Sequence, residues 1–116
     1  MARNAHESSR RFRRRTVRIL VDYQAYDGIR CEYATTLGAG GLFIETEAPS
    51  PPDSRLKLRF RLADDLALHE IEGRVVWVRP AADEGPAHSP GMGVQFTDSV
   101  GCSALARDLE DFGSEA

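Results

Sequence analysis

The chain has 116 residues, of which 41% are hydrophobic and 28% charged, and this composition fits one soluble domain that can bury a core without disulfides or metals. No apolar run approaches the ~20 residues of a membrane-spanning helix, and the N-terminus lacks the apolar stretch of a secretory signal. The net charge of -3 hides an asymmetry, because seven arginines and one glutamate leave residues 1–18 strongly basic and the rest of the chain acidic.

The basic arm, residues 1–18, indicates an anionic partner. An arm that only aids solubility or folds back on the acidic body is the alternative. Residues 1–9 are polar and aperiodic, so we expect a disordered leader before a domain over residues 10–112 and a tail over 113–116. Cys31 and Cys102 have no metal-ligand spacing, which predicts free, mostly buried thiols in a reducing cytoplasm.

The first predicted elements form a hairpin. Apolar and polar residues alternate from Val17 to Tyr23, which predicts a strand with one buried face, although Leu20 interrupts the pattern. Asp27 and Gly28 are a turn signal. A second alternation follows, with Ile29, Cys31 and Tyr33 on one face and Arg30, Glu32 and Ala34 on the other.

A glycine-rich segment leads into the third strand. Gly38, Gly40 and Gly41 precede the apolar residues 42–44, and such glycines mark backbone that needs positive φ or close approach of another group. After a proline-containing loop, residues 55–62 alternate most regularly, with Leu56, Leu58, Phe60 and Leu62 on the apolar face.

The C-terminal half predicts two more strands and a helix. A strand over about residues 69–79 carries Ile71, Gly73, Val75 and Trp77 on one face, which places Trp77 in the core. After a loop over residues 80–90 comes a short strand with Met92, Val94 and Phe96. An amphipathic helix is indicated by Leu105, Leu109 and Phe112, with Ser99 or Ser103 as its cap. About six short strands favour a small barrel or sandwich over a parallel sheet.

The residues that could carry catalysis are scattered. His6, His69 and His88 have no cysteine or carboxylate at metal-ligand spacing, and no serine lies in a nucleophile elbow. The glycines precede a strand, whereas a dinucleotide-binding turn opens a helix. We therefore predict no enzyme activity, no metal site and no cofactor.

The arginine run, residues 10–15, stands directly before the first strand and has Phe12 as its one aromatic residue. Arginine is always charged, donates paired hydrogen bonds to phosphates and to the O6/N7 edge of guanine, and stacks on flat rings. This run therefore suits a purine ligand that bears phosphates. Nucleic-acid binding is disfavoured, because interleaved aromatics are lacking.

Residues 10–14, followed by the first strand, resemble the RxxxR signature that opens the PilZ domain. Residues 36–44 stand where that family has its (D/N)xSxxG motif and the next strand, and residues 72–78 and 91–96 resemble its later strands. The resemblance implies an all-β fold, a six-stranded antiparallel β-barrel with one C-terminal α-helix. It also implies a bacterial, cytoplasmic signalling module that binds cyclic di-GMP and relays it to a protein partner, with no membrane contact.

The resemblance also implies which residues bind the ligand. The first motif is Arg10 and Arg14, with Arg11 adjacent, and the neighbouring frame of Arg11 and Arg15 also satisfies RxxxR. In the second motif Thr36 stands where Asp or Asn is expected and Gly38 where Ser is expected, whereas Gly41 matches. The alternative is a PilZ-like adaptor that no longer binds cyclic di-GMP and acts through protein contacts. It predicts an exposed apolar patch on the barrel or around Leu105, Leu109 and Phe112.

Overall fold

Six strands and one helix follow one another along the chain in the computed structural model, which describes residues 15–25, 28–80 and 89–114. The expected leader over residues 1–9 and the arginines before β1 lie outside these ranges, as do the side chains of residue 15 and residues 112–114. The elements are β1 (Arg15–Ala25), β2 (Gly28–Gly38), β3 (Gly41–Glu45), β4 (Arg55–Arg61), β5 (Leu68–Arg79), β6 (Gly91–Phe96) and α1 (Ser99–Ser114).

The strands close into an antiparallel barrel in the order β1-β2-β3-β6-β5-β4, in which β4 also pairs with β1. Closure removes the unpaired edges that an open sheet would expose. The predicted hairpin and the six-stranded barrel with a C-terminal helix are confirmed. No helix in the described part of the chain is long and apolar enough to cross a membrane.

The barrel interior is filled by every second residue of the strands. In β4 the alternation is complete, with Leu56, Leu58 and Phe60 buried between exposed basic residues. In β1, Val21 and Tyr23 are buried as the alternation predicts, and Leu20, where the pattern is interrupted, faces solvent. The inward side chains form one continuous hydrophobic cluster.

In β2 the structure shows which of the two faces is turned inward. Ile29 is 77% exposed and Tyr33 36% exposed, whereas Ala34 is buried at 1%. Tyr33 pairs with the exposed Leu20 of β1. Because directly paired residues lie on the same face of a sheet, Tyr33 also faces outward. The expected burial of the thiols is wrong, because Cys31 is exposed and Cys102 is partly exposed, whereas the prediction that both are free is confirmed.

A β-bulge in β5 overturns the core assignment of Trp77. Val75 pairs with Val94 of β6, but Trp77 pairs with Gly93, so β5 advances two residues while β6 advances one. A bulge inserts one extra residue and shifts the phase of the side chains that follow. Val75 is therefore fully buried, and Trp77, two residues later, lies 39% exposed on the outer surface.

Helix α1 packs against β5 and adds its apolar face to the core. Leu105 and Leu109 are buried there, so the exposed patch that the adaptor alternative predicts around them is absent at these two residues. Asp98, rather than Ser99 or Ser103, caps the helix, because its Oδ1 accepts the backbone N–H of Gly101 at 3.0 Å. A carboxylate satisfies this free N–H and favours the positive end of the helix dipole.

The buried imidazole of His69 joins β5 to the helix. Its Nε2 lies 2.9 Å from Oδ2 of Asp108, at ion-pair distance but without the alignment of a hydrogen bond. The ring also lies 5.8 Å from that of Phe60. This contact is structural and lies at the opposite end of β5 from Trp77.

Candidate ligand-binding site

The described residues of the predicted site lie together where β1, β2 and β3 meet. Thr36 is half-buried, Gly38 is buried and Gly41 is half-buried. Arg15 begins β1, and Arg10, Arg11 and Arg14 lie outside the described residues. The prediction of these arginines as ligand contacts stays a prediction.

Strand register brings the start of β1 beside the second motif. Arg15 pairs with Leu37, Thr16 with Thr36, and Gly38 with Gly41 across the β2–β3 turn. Consecutive Cα atoms are about 3.8 Å apart, so the arginine run leads by covalent connection into the strand end opposite Thr36. The start of β1 and the second motif, distant in sequence, therefore lie side by side in the barrel.

Next to this region lies an aromatic platform, formed by Phe43, Trp77 and Arg79 on the outer surface of the barrel. The rings of Phe43 and Trp77 stack with centroids 5.2 Å apart and planes inclined by 22°. The Arg79 guanidinium carbon lies 4.8 Å from the Phe43 centroid and 5.6 Å from that of Trp77. Both distances are in the range of cation–π attraction.

Two glycines of β6 form the floor of the platform. Phe43 and Trp77 each pair with Gly93, from opposite sides of β6. A Cβ atom on Gly93 would lie 2.2 Å from Nε1 of Trp77, and one on Gly91 would lie 2.4 Å from Cζ of Phe43. Glycine is needed at both positions because the rings lie directly on the strand backbone.

A cavity of about 260 Å³ opens beside the platform and is called the Thr36 pocket here. Its lining residues are Thr35, Thr36, Phe43, Glu45, Trp77, Arg79 and Ser89. Arg79 is held partly in place because its guanidinium donates to the carbonyl oxygen of Ser89 at 3.1 Å. Pockets with a few converging polar groups beside aromatic surface are typical ligand sites.

A second, larger groove of about 800 Å³ continues from the platform towards the helix and shares Phe43 and Trp77 with the Thr36 pocket. The glycine-rich turn of residues 38–41 forms one wall, and Cys102, Ser103 and Ala106 of α1 form another. The predicted Gly38 and Gly41 line this groove, whereas Thr36 lines the pocket. Together the two cavities make a continuous concave surface around the platform.

Sequence reasoning missed the platform and Glu45. Phe43 was read only as part of an apolar strand, and Trp77 was assigned to the core. A usable signal was the spacing of Gly91 and Gly93, which places two bare positions on one face of a strand. Backbone without side chains at Gly91 and Gly93 must be covered by side chains from the neighbouring strands, and β3 and β5 carry the aromatic residues Phe43 and Trp77.

The titratable groups with shifted pKa values lie away from both cavities or are poorly suited to chemistry. A hydrogen bond with Asp22 is the main cause that raises the pKa of Cys31, and burial is the main cause for Cys102. A raised pKa disfavours the reactive thiolate. Burial, reinforced by the 2.5 Å hydrogen bond that Tyr23 donates to Glu32, raises the pKa of Tyr23 well above its usual range.

Comparisons with solved structures agree with this architecture. The chain is similar to the Bacillus subtilis inhibitor of motility MotI/DgrA, at a TM-score of 0.72 and 15% identity, with 91% of this chain and 52% of that one covered. This chain therefore spans about half the length of the Bacillus protein. At such identity the likeness shows the fold alone.

Two isolated PilZ domains also match. The PilZ domain of CeSA from a cellulose-synthesizing bacterium has a TM-score of 0.59 and 19% identity, with 84% of this chain and 97% of that one covered. The PilZ domain of Escherichia coli YcgR, solved with c-di-GMP, has a TM-score of 0.59 and 12% identity, with 92% and 98% covered.

Sequence comparison identifies the family. No curated protein matches the chain, but the family model of the PilZ domain matches residues 8–110, which include the arginine run, all six strands and most of α1. The chain belongs to the PilZ domain family.

Proposed function

We propose that this chain is a PilZ-type signalling module that binds cyclic di-GMP and relays its presence to a protein partner. Family membership and the fold shared with the YcgR domain, which was solved with c-di-GMP, support this function. Arg10, Arg11 and Arg14, or Arg15 in the alternative frame, would hold phosphates and guanine edges. Gly38 and Gly41 would let the ligand approach the backbone closely.

The observation that carries the proposal is the pairing of the start of β1 with the second motif. The strand that follows the arginine run pairs with Thr36, and Thr36 lines a pocket with Trp77 and Arg79. Cyclic di-GMP offers two phosphates and two flat bases. Guanidinium groups suit the phosphates, and aromatic rings suit the bases.

The second motif weakens this site, because Thr36 and Gly38 replace an amide or carboxylate and a hydroxyl. Each lost hydrogen bond costs about 0.5–1.5 kcal/mol, and 1.4 kcal/mol corresponds to a tenfold change in affinity. We therefore expect weaker binding than the unaltered motif would provide. The double substitution Thr36→Asp with Gly38→Ser should tighten binding by about tenfold or more.

Isothermal titration of the purified protein with cyclic di-GMP tests the proposal. We expect saturable binding that Arg10→Ala and Arg14→Ala each abolish, because each removes a phosphate contact. Lys57→Ala is the matched control, since Lys57 is an exposed cation of β4 outside both cavities. Absence of heat at several hundred micromolar ligand would reject the receptor function. Loss of binding in Arg11→Ala and Arg15→Ala, but not in Arg10→Ala and Arg14→Ala, would select the alternative frame.

An adaptor without ligand is the second candidate, favoured by the altered motif and by the exposed apolar residues Val76 and Trp77. Val76 and Trp77 border the larger groove. Under this function, a pull-down recovers the same partner with and without cyclic di-GMP, and Val76→Asp prevents the recovery. A partner retained by Val76→Asp would contradict docking on this face.

A further inference from the structure

Glu45 and Arg79 lie on opposite sides of one position of β6. Glu45 of β3 and Arg79 of β5 both pair with Gly91, from its two sides. Adjacent strands lie about 4.8 Å apart, so the two backbones are about 10 Å apart, and the ring of Phe43 covers the bare position between them. Both side chains line the Thr36 pocket.

The two opposite charges do not pair with each other. Arg79 instead directs its guanidinium over Phe43 and donates to the Ser89 carbonyl oxygen, and no ion pair joins it to Glu45 within the described residues. Arginine has five N–H donors, so several remain for a ligand. Glu45 and Arg79 therefore bring opposite charges to one pocket without forming an ion pair with each other.

The volume of the pocket is suited to one base. The Thr36 pocket, at about 260 Å³, is below the ~300–1,000 Å³ of pockets that enclose whole drug-sized ligands. Trp77, which is 39% exposed, supplies flat apolar surface beside it, and the buried Phe43 ring supports the indole from behind. The remainder of a cyclic dinucleotide would lie outside, towards the strand end into which the arginine run leads.

We propose that the Thr36 pocket reads one guanine of the ligand, with Glu45 accepting hydrogen bonds from N1–H and the 2-amino group and Arg79 donating to O6 and N7. This inference rests on the proposed function. Glu45 thereby supplies, from β3, the carboxylate that Thr36 lacks in the second motif. Thr36 adds a single hydroxyl at the same pocket.

The charge arrangement also determines which base is accepted. Guanine presents donors at N1 and at the 2-amino group, which match a carboxylate, and acceptors at O6 and N7, which match a guanidinium. Adenine presents an acceptor at N1 and a donor at the 6-amino group. The Glu45 carboxylate would then meet another acceptor, and the Arg79 guanidinium would meet another donor. A site whose polar groups form hydrogen bonds with one base binds much more weakly any analogous base that leaves those groups unpaired.

The test compares cyclic di-GMP with cyclic di-IMP, whose hypoxanthine bases differ from guanine only by lacking the 2-amino group. We expect the unmodified protein to prefer cyclic di-GMP by about tenfold or more, because hydrogen bonds to a charged acceptor are the stronger ones. Glu45→Ala should reduce this preference to less than about threefold. Glu47→Ala is the matched control, because it removes the same charge from an exposed residue outside the pocket, and it should keep the full preference.

The outcomes separate this inference from the proposed function. A protein that binds cyclic di-GMP and retains the same preference in Glu45→Ala contradicts the role of Glu45 alone. A protein that binds neither dinucleotide contradicts the receptor function and this inference together. Because Glu45 is partly exposed, folding of the variant is expected, and an unchanged circular dichroism melting temperature verifies it.

Arg79 has its own probe. A cyclic dinucleotide of 7-deazaguanine lacks the N7 acceptor, so the unmodified protein should bind it several-fold more weakly than cyclic di-GMP. Arg79→Lys should bind the two equally, because an ammonium cannot donate the paired bonds. Arg74→Lys is the control on the same strand, since Arg74 lies outside the pocket near Asp53. A 7-deaza penalty that persists in Arg79→Lys would contradict this contact.

Discussion

Trp77 illustrates how a single side chain acquires a role from its neighbours. Its indole lies against the Phe43 ring and the bare backbone of Gly93, and the side chain remains 39% exposed. A large aromatic surface held rigid and partly open to solvent is well suited to stack on a flat ligand. It is also the only tryptophan in the chain, so its fluorescence reports on this surface alone.

Replacing Trp77 tests the stacking contribution. Trp77→Leu should weaken cyclic di-GMP binding by about tenfold to a hundredfold, because stacking of one base on an aromatic ring contributes about 1–3 kcal/mol. Leu68→Ala, an exposed apolar residue at the other end of the same strand and outside both cavities, is the control and should change affinity less than about threefold. Isothermal titration measures both. Affinity within twofold of the unmodified protein in Trp77→Leu would exclude base stacking at this ring.

Gly93 determines where the indole lies. The Cβ of Gly93→Ala would fall 2.2 Å from Nε1 and 2.4 Å from Cε2 of Trp77, so the indole must move away from β6. We expect a red shift of Trp77 emission and a destabilisation of about 1–3 kcal/mol, as for other overpacked positions. Gly28→Ala is the control, because Gly28 has a φ of 128° and open space around it. It should destabilise the protein without an emission shift, and a shift of equal size there would contradict the local displacement.

At the scale of elements, the β-bulges decide which side chains meet. The bulge of β5 between Val75 and Trp77 reverses which side chains of the following residues face outward. A bulge of β2 between Ala34 and Thr36 has the same effect where β2 pairs with β3. Both bulges border the Thr36 pocket, which includes Thr35, Thr36 and Trp77. Bulges often redirect side chains next to functional sites.

The N-terminus of α1 provides a prediction about an element. Asp98→Ala should lower the free energy of unfolding by about 0.5–2 kcal/mol, because it removes the acceptor for the Gly101 N–H and leaves a helix N-terminus uncapped. Ser99→Ala and Ser103→Ala serve as controls and should each change it by less than about 0.5 kcal/mol. Urea denaturation measures the three variants. An equal loss in Ser99→Ala would show that the cap is shared.

At the scale of the whole molecule, a polar network crosses from the barrel interior to the loop after β3. Tyr23 is 1% exposed and donates to Glu32 at 2.5 Å, and Thr46 donates to the other oxygen of Glu32 at 3.0 Å. The Thr46 oxygen accepts the backbone N–H of Ala48 at 3.1 Å. The network links β1, β2 and the chain after β3, and it satisfies polar atoms that would be costly to bury alone.

This network predicts how stability depends on pH. The ordinary pKa of Tyr23, 10.0, is raised in the folded state, first by burial and then by Glu32. Above about pH 10 the unfolded chain releases the tyrosine proton while the folded protein keeps it, so the unfolded state binds fewer protons and stability falls as pH rises. The stabilisation is complete below pH 10 and decreases by up to about 1.4 kcal/mol per pH unit above it.

Urea denaturation between about pH 8 and pH 11 measures this dependence. Tyr23→Phe should be less stable than the unmodified protein at pH 8, by about 0.5–1.5 kcal/mol for the lost hydrogen bond, and should show a shallower decline above pH 10. Tyr33→Phe is the control, because Tyr33 is on the outer surface, and it should keep the full decline. Equal slopes in the two variants would contradict the assignment to Tyr23.

Much of the fold was predictable because strand alternation is a local property. The buried faces of β1 and β4, including Val21, Leu58 and Phe60, follow from period-two patterns, since burial of one face of a sheet requires them. Trp77 was wrongly assigned to the core because the β-bulge of β5 shifts the inward–outward alternation of its side chains, and the hydrophobic pattern of the strand does not show this bulge. The two faces of β2 follow from alternation as well, but both carry apolar residues, and only pairing with β1 decides that Ile29 and Tyr33 face outward.

The sequence by itself determined the succession of six strands and the C-terminal helix along the chain. It also determined that an arginine run precedes β1 and that Thr36 and Gly38 follow further along. Only the tertiary structure decided that Phe43 and Trp77 stack across Gly93, and that Glu45 and Arg79 lie on either side of Gly91 and line one pocket. The physical reason is that barrel closure places β3 and β5 on either side of β6. Residues more than thirty positions apart then share one outer surface, which no local pattern encodes.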